Sequence, residues 1–389
     1  VSQPKKIKIL ALEPYYGGSH RAFLDNWRDR SMHDWTLLTL PATKWKWRMR
    51  HSSVTLAEQA KELISKGAHW DLILATDMLN LAEFKGLIDP DVARLPAVAY
   101  FHENQLTYPT QGDEKRDYHF AMNNLVSCLA ADQVWFNSKF HRNSFVSAVD
   151  EWLTRMPDNC LPGAAETIKS RSLVMPQGYE AMPERPDRKK GPLRILWSGR
   201  WEYDKNPDCF FAALRLLKDK RVAFRLSVIG QQFSGCPAIF EHARNEFADS
   251  IDRWGYQPTR DEYVACLHEA DVVVSTAQHE FFGVAAVEAI AAGARPLLPR
   301  RLAYPEILGG GDNLDPDPFL YDGTVTNLVR RLRELSAQIE TTSLQDDDFV
   351  RLQSRIRRLD YDRLAPFLDN GLDEVLSGGS ARNNFGSHA

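Results

Sequence analysis

No stretch of the sequence reaches the ~18 uninterrupted apolar residues that a spanning helix needs, which argues against a transmembrane protein. The first apolar run, residues 7–12, carries Lys8 and is too short for a secretory h-region. Cysteine is scarce: Cys128, Cys160, Cys209, Cys236 and Cys266 are scattered widely and form no CxxC pair. That supports neither a disulfide framework nor a zinc site, and it suits a reduced, cytoplasmic compartment. A basic excess is missing too. Lysine and arginine number 48 against 52 acidic residues, for a formal net charge of -4. Any nucleic-acid contact must therefore use local patches. What is present, 43% apolar and 26% charged residues in a chain of 389, is the composition of an ordinary globular protein with room for two domains.

The apolar residues fall into short continuous runs separated by longer amphipathic segments. Strands are expected over 7–12, 35–40, 71–75, 97–101, 133–136 and 172–175. A second series is expected over 193–197, 224–229, 271–275 and 295–298. Runs that are apolar throughout suit parallel strands buried on both faces. Helical patterns lie between them, as over 138–153, 207–218, 260–270 and 284–292, which implies βαβ units. The segment 177–192 is rich in proline, glycine and charge and reads as a linker. The expectation is an α/β protein of two Rossmann-like domains, 1–180 and 181–365, with parallel sheets facing each other across a cleft. Residues 366–389 would then form a helix end and a flexible tail. Open sheets of this kind bind ligands at the carboxyl ends of their strands, so the residues after each strand matter most.

In the second half, the strand 271–275 runs into a loop with Glu280 and then a helix starting near Gly283. That helix is apolar on nearly every side yet carries Glu288. A carboxylate there needs a partner, which ribose hydroxyls or an arginine would supply. The helix start offers free N–H groups to a phosphate or sugar oxygen. After the strand 193–197 comes Gly199-Arg200, then Lys205-Asn206-Pro207. Two cations on a turn that opens a helix can neutralise a diphosphate leaving group. The plainer alternative is a pair of surface ion pairs.

In the first half, Glu13-Pro14-Tyr15-Tyr16-Gly17-Gly18-Ser19-His20 follows the first strand, and its glycines would let a ligand approach the backbone. His102-Glu103-Asn104-Gln105 follows the strand 97–101, with His102 the candidate for handling a proton or binding a sugar. Asn137 and Lys139 repeat the theme, though Ser138 between them suits a helix cap. In Lys44-Trp45-Lys46-Trp47-Arg48-Met49-Arg50, cations alternate with indoles. Such a segment can grip phosphates and stack bases. The alternative is an edge strand with its tryptophans in the core.

These motifs carry two resemblances. Glu280 to Glu288 is similar to the E-x7-E motif of retaining GT-B glycosyltransferases of the glycogen-synthase-like superfamily, and Gly199-Arg200 through Lys205-Asn206 is similar to their G-R-x4-K-N segment. The resemblance implies Arg200 and Lys205 on a donor diphosphate, Glu280 on the transferred sugar and Glu288 on the ribose. The backbone from Phe281 and Phe282 through Gly283 and Val284 would meet sugar and phosphate, and Tyr256 lies where the base packs. The N-terminal motifs, together with Tyr108-Pro109, resemble a narrower family, tRNA-queuosine α-mannosyltransferase. That implies transfer of mannose from GDP-mannose to queuosine in the anticodon of tRNA-Asp. The implied donor-site residues also include Gly17 and Gly18. The implied acceptor side includes His20, Glu103, Asn104, Gln105, Asn137, Lys139 and the cation–indole segment. Retention is implied, with no enzyme nucleophile, no membrane and no metal. Asp315-Pro316-Asp317 matches the DxD string of metal-dependent transferases but sits in a proline-rich turn. Two rivals stay open here: the same fold acting on a glycan, lipid or small metabolite, and a non-catalytic RNA-binding protein on a transferase scaffold.

Overall fold

The computed structural model describes residues 6–110, 115–188, 190–233, 235–309, 317–341 and 344–378. Two compact units emerge. One comprises the chain up to Gly178 together with everything from Tyr361 onward, and the other runs Tyr179–Asp360.

The first unit holds a parallel sheet of β1 (Lys8–Tyr16), β2 (Asp34–Pro41), β3 (Leu72–Thr76), β4 (Ala97–Phe101), β5 (Gln133–Phe136) and β6 (Ser172–Val174), in the order β2-β1-β3-β4-β5-β6. Alternate residues of β1 feed two cores. Leu10 and Leu12 pack on one face, while Ile9 and Ala11 pack on the other. The helices Gly18–Arg28 and Tyr361–Leu376 cover that second face. Tyr361, Leu364, Leu368 and Leu372 are buried there beside Trp27 and Trp135. Asp369 ties the two helices together. Its buried carboxylate accepts from Trp27 Nε1 at 2.8 Å, Ser31 Oγ at 2.8 Å and the Met32 amide at 2.8 Å. The division at 365 expected from the sequence therefore falls inside one helix, and that helix packs wholly within the first unit.

The second unit holds β7 (Leu193–Ser198), β8 (Phe224–Ile229), β9 (Ile251–Gly255), β10 (Val272–Val274), β11 (Arg295–Pro299) and β12 (Leu320–Tyr321), in the order β12-β11-β10-β7-β8-β9. All its pairs are parallel. The segment read as a linker is fastened to this unit. Arg185 reaches the carbonyls of His268, Ala270 and Gly293, and Arg188 grips Asp271 with Nε at 2.7 Å and Nη2 at 2.9 Å.

In each sheet the chain reverses its direction of winding once. The reversal lies between β1 and β3 in the first unit and between β7 and β10 in the second. Such switch points leave a crevice at the strands' carboxyl ends. Glu13 and Asp77 flank the first, and Gly199 and Ser275 flank the second.

Candidate active site

At the second unit's switch point two loops are laced together. The Gln278 amide donates to the Asp204 carbonyl at 2.7 Å, and Thr276 Oγ1 donates to the Lys205 carbonyl at 2.8 Å. Lys205 follows on a short 3-10 turn, Tyr203–Lys205, and its ammonium donates back to the His279 carbonyl at 2.9 Å. It also meets Asp204 at 3.0 Å and Glu280 at 3.3 Å. Burial pulls the Lys205 pKa down, but the Glu280 and Asp204 carboxylates outweigh it and leave it raised. His279, beneath, is pushed down to about 4, first by burial and then by the Lys205 charge. Arg200 lies close enough for its charge to act on both, and it pairs with Glu202 at 3.3 Å. Gly283 opens the helix Val284–Ala291 at φ 98, where an added Cβ would lie 2.9 Å from the Tyr304 ring. Glycine is therefore required at that helix start on two counts.

Glu288, one turn into that helix, has found protein partners. Arg260 Nη1 donates to one carboxylate oxygen at 2.7 Å and the Tyr263 hydroxyl to the other at 2.8 Å. The arginine alternative is thus realised, and about half of the carboxylate's acceptor capacity remains.

At the first unit's switch point Glu13 is fully buried and bonds the Tyr15 amide at 2.7 Å and His20 Nδ1 at 3.0 Å. The His20 ring stacks on His102 with centroids 4.0 Å apart. His102 in turn accepts from Gln177 at Nδ1, and its amide donates to Asp77 at 2.9 Å. Burial lowers the His20 pKa, but Glu13 overrides it and holds it at about 9. Burial, against the pull of His20, pushes Asp77 up to about 8. His102 is held well below its ordinary value by burial and by the charges of His20 and His141, so it is neutral. Ligand-type atoms of Glu13, His20 and His102 lie within 4.8 Å of one another. The two imidazoles meet face to face, however, and a hydrogen bond already joins Glu13 to His20.

This cluster gives a sign to the pH dependence of stability. A protonated His20 favours the fold fully below pH 6.5, and that contribution is lost as pH rises through about 9. Asp77, ionised in the unfolded chain above 3.8 and neutral in the fold up to about 8, lowers stability progressively between those values, so it adds to the His20 loss only up to about pH 8. The thermal midpoint should therefore fall between pH 7 and 9.5 by the equivalent of roughly 2–4 kcal/mol. A Glu13→Gln variant should be less stable and show a flatter fall. A wild-type midpoint that stays level over this range would contradict the charge assignment.

The cation–indole segment is neither a strand nor a loop. Trp45–Ser65 is a helix entered through Lys44 in the left-handed region. Met49, Ser52, Ser53, Leu56, Ala57 and Ala60 form its buried stripe. Trp45 is half-buried against Phe120, with Lys46 over its outer face and Arg50 over Phe120. Trp47 is 62% exposed and leans on His51.

Family comparison places this geometry. The sequence model of the tRNA-queuosine alpha-mannosyltransferase N-terminal family matches residues 8–179, and that of glycosyl transferases group 1 matches residues 179–340. A Drosophila melanogaster protein, tRNA-queuosine alpha-mannosyltransferase, is 37% identical over 356 residues, covering 88% of this chain and 91% of the relative. The chain belongs to the tRNA-queuosine alpha-mannosyltransferase family. It is a glycosyltransferase with the GT-B fold. The GDP-mannose-dependent alpha-(1-6)-phosphatidylinositol dimannoside mannosyltransferase of Mycobacterium tuberculosis is 28% identical over 43% of this chain and 45% of its own. The solved structure of HepE from Anabaena, in complex with UDP and glucose, shares the fold at TM-score 0.62 and 17% identity, over 94% of this chain and 99% of that one.

The structure places the expected residues as follows. Asn104 and Asn137, expected on the acceptor side, are buried and spent internally. Asn104 Oδ1 accepts from the amides of Leu106 and Thr107, and Asn137 Nδ2 donates to the His102 carbonyl. His20 is likewise buried in the Glu13 cluster rather than presented to RNA. Gly17 is packed closely, since an added Cβ would lie 2.5 Å from that of Ala42. Gly18, at φ 52, faces open space. Gln105 donates to Glu103 at 3.1 Å, while Lys44, Lys46, Arg50 and Lys139 are exposed. Asn206 adopts the left-handed region at φ 51 ahead of the helix Pro207–Asp219, Gly199 sits beside the Lys205 stem, and Tyr256 is 63% exposed. Of the DxD string, Asp315 and Pro316 lie outside the described residues, and Asp317 is buried and caps the Phe319 amide. Most of the tail, residues 379–389, also lies outside the described residues. Sequence reasoning missed Asp204, Arg260, Tyr263 and Tyr304. Arg301, which the sequence offers as part of a basic rim with Arg300, instead turns its guanidinium to the carbonyls of Ala277 and Thr276. Arg260 starts a helix just after β9, a position that the strand-end rule would have flagged.

Among the described residues, no helix is long and apolar enough to cross a membrane.

Proposed function

We propose that the protein is a cytoplasmic enzyme that moves mannose from GDP-mannose to queuosine in the anticodon of tRNA-Asp. The observation that carries this reading is the 37% identity to tRNA-queuosine alpha-mannosyltransferase, which spans both units of the chain. The GDP-mannose-dependent relative supports the choice of donor. In this reading Lys205 and Arg200 take the diphosphate, aided by the amides of Phe282 to Val284 at the helix start. Glu280 holds the sugar, Glu288 the ribose, and Tyr256 lies beside the base. The acceptor oxygen bonds to the anomeric carbon on the face from which the diphosphate leaves, and the hydroxyl proton passes to the departing phosphate oxygen. No enzyme nucleophile is then needed, and the protein contributes position and charge.

The test is incubation with GDP-mannose, and separately with UDP-sugars, in the presence of tRNA with and without queuosine. Mass spectrometry of the digested nucleosides should show a hexose on queuosine only with GDP-mannose. A hexose absent from queuosine under all conditions would sink the reading.

The helix Trp45–Ser65 supplies the RNA grip in this reading, and only one of its indoles is available. Trp47→Ala should weaken tRNA binding by about 5- to 100-fold, the value of one base stack. Trp45→Ala should instead lower the thermal midpoint, because that ring packs on Phe120. Fluorescence titration and calorimetry separate the two. Equal binding losses for both variants would contradict the division.

A further inference from the structure

Each carboxylate oxygen of Glu288 accepts one hydrogen bond from the protein. Arg260 Nη1 lies 2.7 Å from Oε1, and the Tyr263 hydroxyl lies 2.8 Å from Oε2. An ionised carboxylate offers roughly four acceptor sites, so two remain, one on each oxygen. The holders are themselves fixed. Arg260 Nε meets Glu180 at 3.4 Å, and its guanidinium lies over the Tyr263 ring, 5.5 Å from the centroid. Ser198, the residue before Gly199 and Arg200, lies close enough for its side chain to act on the Tyr263 hydroxyl. Neither holder belongs to the E-x7-E or G-R-x4-K-N strings. Both come from the helix Arg260–Glu269, just after β9.

A lone carboxylate on a flexible stem bonds one hydroxyl or two with little preference, because it rotates to suit. A carboxylate gripped on both oxygens cannot rotate. A ligand that lacks one hydroxyl then leaves an acceptor unpaired in a half-buried place, which costs more than the missing bond alone.

We infer that Arg260 and Tyr263 are positioning residues that lock the Glu288 carboxylate in one plane, so that the donor site selects a nucleotide carrying both ribose hydroxyls over its 2′-deoxy counterpart. This rests on Glu288 as the ribose acceptor. The two residues touch neither the sugar nor the reacting atoms. They act through Glu288.

The experiment measures binding of GDP and of 2′-deoxy-GDP to the full chain by titration calorimetry, so it does not depend on which acceptor is used. The wild type should prefer GDP by about 10- to 100-fold, the range of a charge-assisted hydrogen bond. Tyr263→Phe and Arg260→Ala should each cut that preference to threefold or less, mainly by weakening GDP. Arg260→Lys, which keeps the charge but loses the planar fork, should keep an intermediate preference. A change that merely loosened the fold would weaken both nucleotides alike and leave the ratio intact. That outcome counts against the inference. If Glu288→Gln abolishes the preference while Tyr263→Phe and Arg260→Ala retain it, this inference fails and the ribose reading stands. If the wild type binds the two nucleotides equally, or binds neither, the ribose reading fails with it.

Discussion

Replacing Lys205 with alanine should lower kcat for sugar transfer by about 10²–10³-fold, the loss seen when one preorganised electrostatic donor is removed from a reacting centre. The reason lies in what surrounds it. Lys205 is nearly buried, donates to the His279 carbonyl and to Glu280, and forms an ion pair with Asp204. A diphosphate arriving there exchanges a carboxylate partner for a phosphate one at little cost. Without the ammonium, Asp204 and Glu280 become two uncompensated carboxylates at the point where negative charge must develop. The variant should therefore repel the leaving group as well as fail to bind it. Lys205→Arg should recover only part of the rate, since a planar fork does not fit a site built around a point charge. Binding of tRNA should be unchanged, because Lys205 lies in the second unit and the exposed cations Lys44, Lys46 and Arg50 lie in the first. Single-turnover rates with labelled donor, together with tRNA titrations, check both halves. A Lys205→Ala enzyme within tenfold of wild type would place the diphosphate elsewhere.

Gly230→Ala should be the most damaging small change in the second unit. Gly230 follows β8 at φ 148, and a methyl group there would lie 1.7 Å from the Gly199 carbonyl oxygen and 2.7 Å from its carbon. Both obstacles are backbone, so no side chain can yield. Relief requires the Gly199 turn to move, and Arg200 moves with it. A loss of about 4 kcal/mol is expected, placing the change among the severe single substitutions. For a unit of this size that is a fall of roughly 10 °C in the thermal midpoint. Donor affinity should drop with it. Gly86→Ala is the control. That glycine sits inside the helix Leu81–Leu87 with open space around its Cβ position, so the change should be neutral or mildly stabilising. Scanning calorimetry of the two variants decides the matter, and a Gly230→Ala protein as stable as Gly86→Ala would refute the clash.

The parallel strands were legible because burial on both faces leaves continuous apolar runs. β4 (Ala97–Phe101), β5 (Gln133–Phe136) and β8 (Phe224–Ile229) match the expected limits. β9 was not legible: Ile251–Gly255 reads Ile-Asp-Arg-Trp-Gly, and it sits at the sheet edge where one face and one rim meet water. The helix Trp45–Ser65 was obscured by its own first turn. There the alternation of cations and indoles suggests a period of two, while the buried positions Met49, Ser52, Ser53, Leu56 and Ala60 carry the helical period further on. The donor-side charges could be read as types but not as pairs. That Glu288 would meet Arg260 and Tyr263, 28 and 25 residues earlier, depends on how two helices register across the sheet. The Glu13–His20–His102 cluster was hidden for the same reason, since 82 residues separate its two histidines and only the adjacency of β1, β3 and β4 brings them near. Asn104 and Asn137 looked like ligand contacts because strand-end polar residues often are. Here they satisfy the backbone that holds His102 in place.

The helix Tyr361–Leu376 has one more consequence. It completes a layer whose other members all lie before Gly178, so on the ribosome the amino-terminal half emerges with Trp27, Trp135 and Leu173 uncovered. The inserted half, by contrast, has its whole sheet in hand before synthesis ends. Connectivity thus predicts that the unit Tyr179–Asp360 can close before the helix Tyr361–Leu376 is available to the first unit. Expressing residues 1–178 by themselves would leave that apolar layer open, whereas supplying the missing helix as a separate peptide should close it.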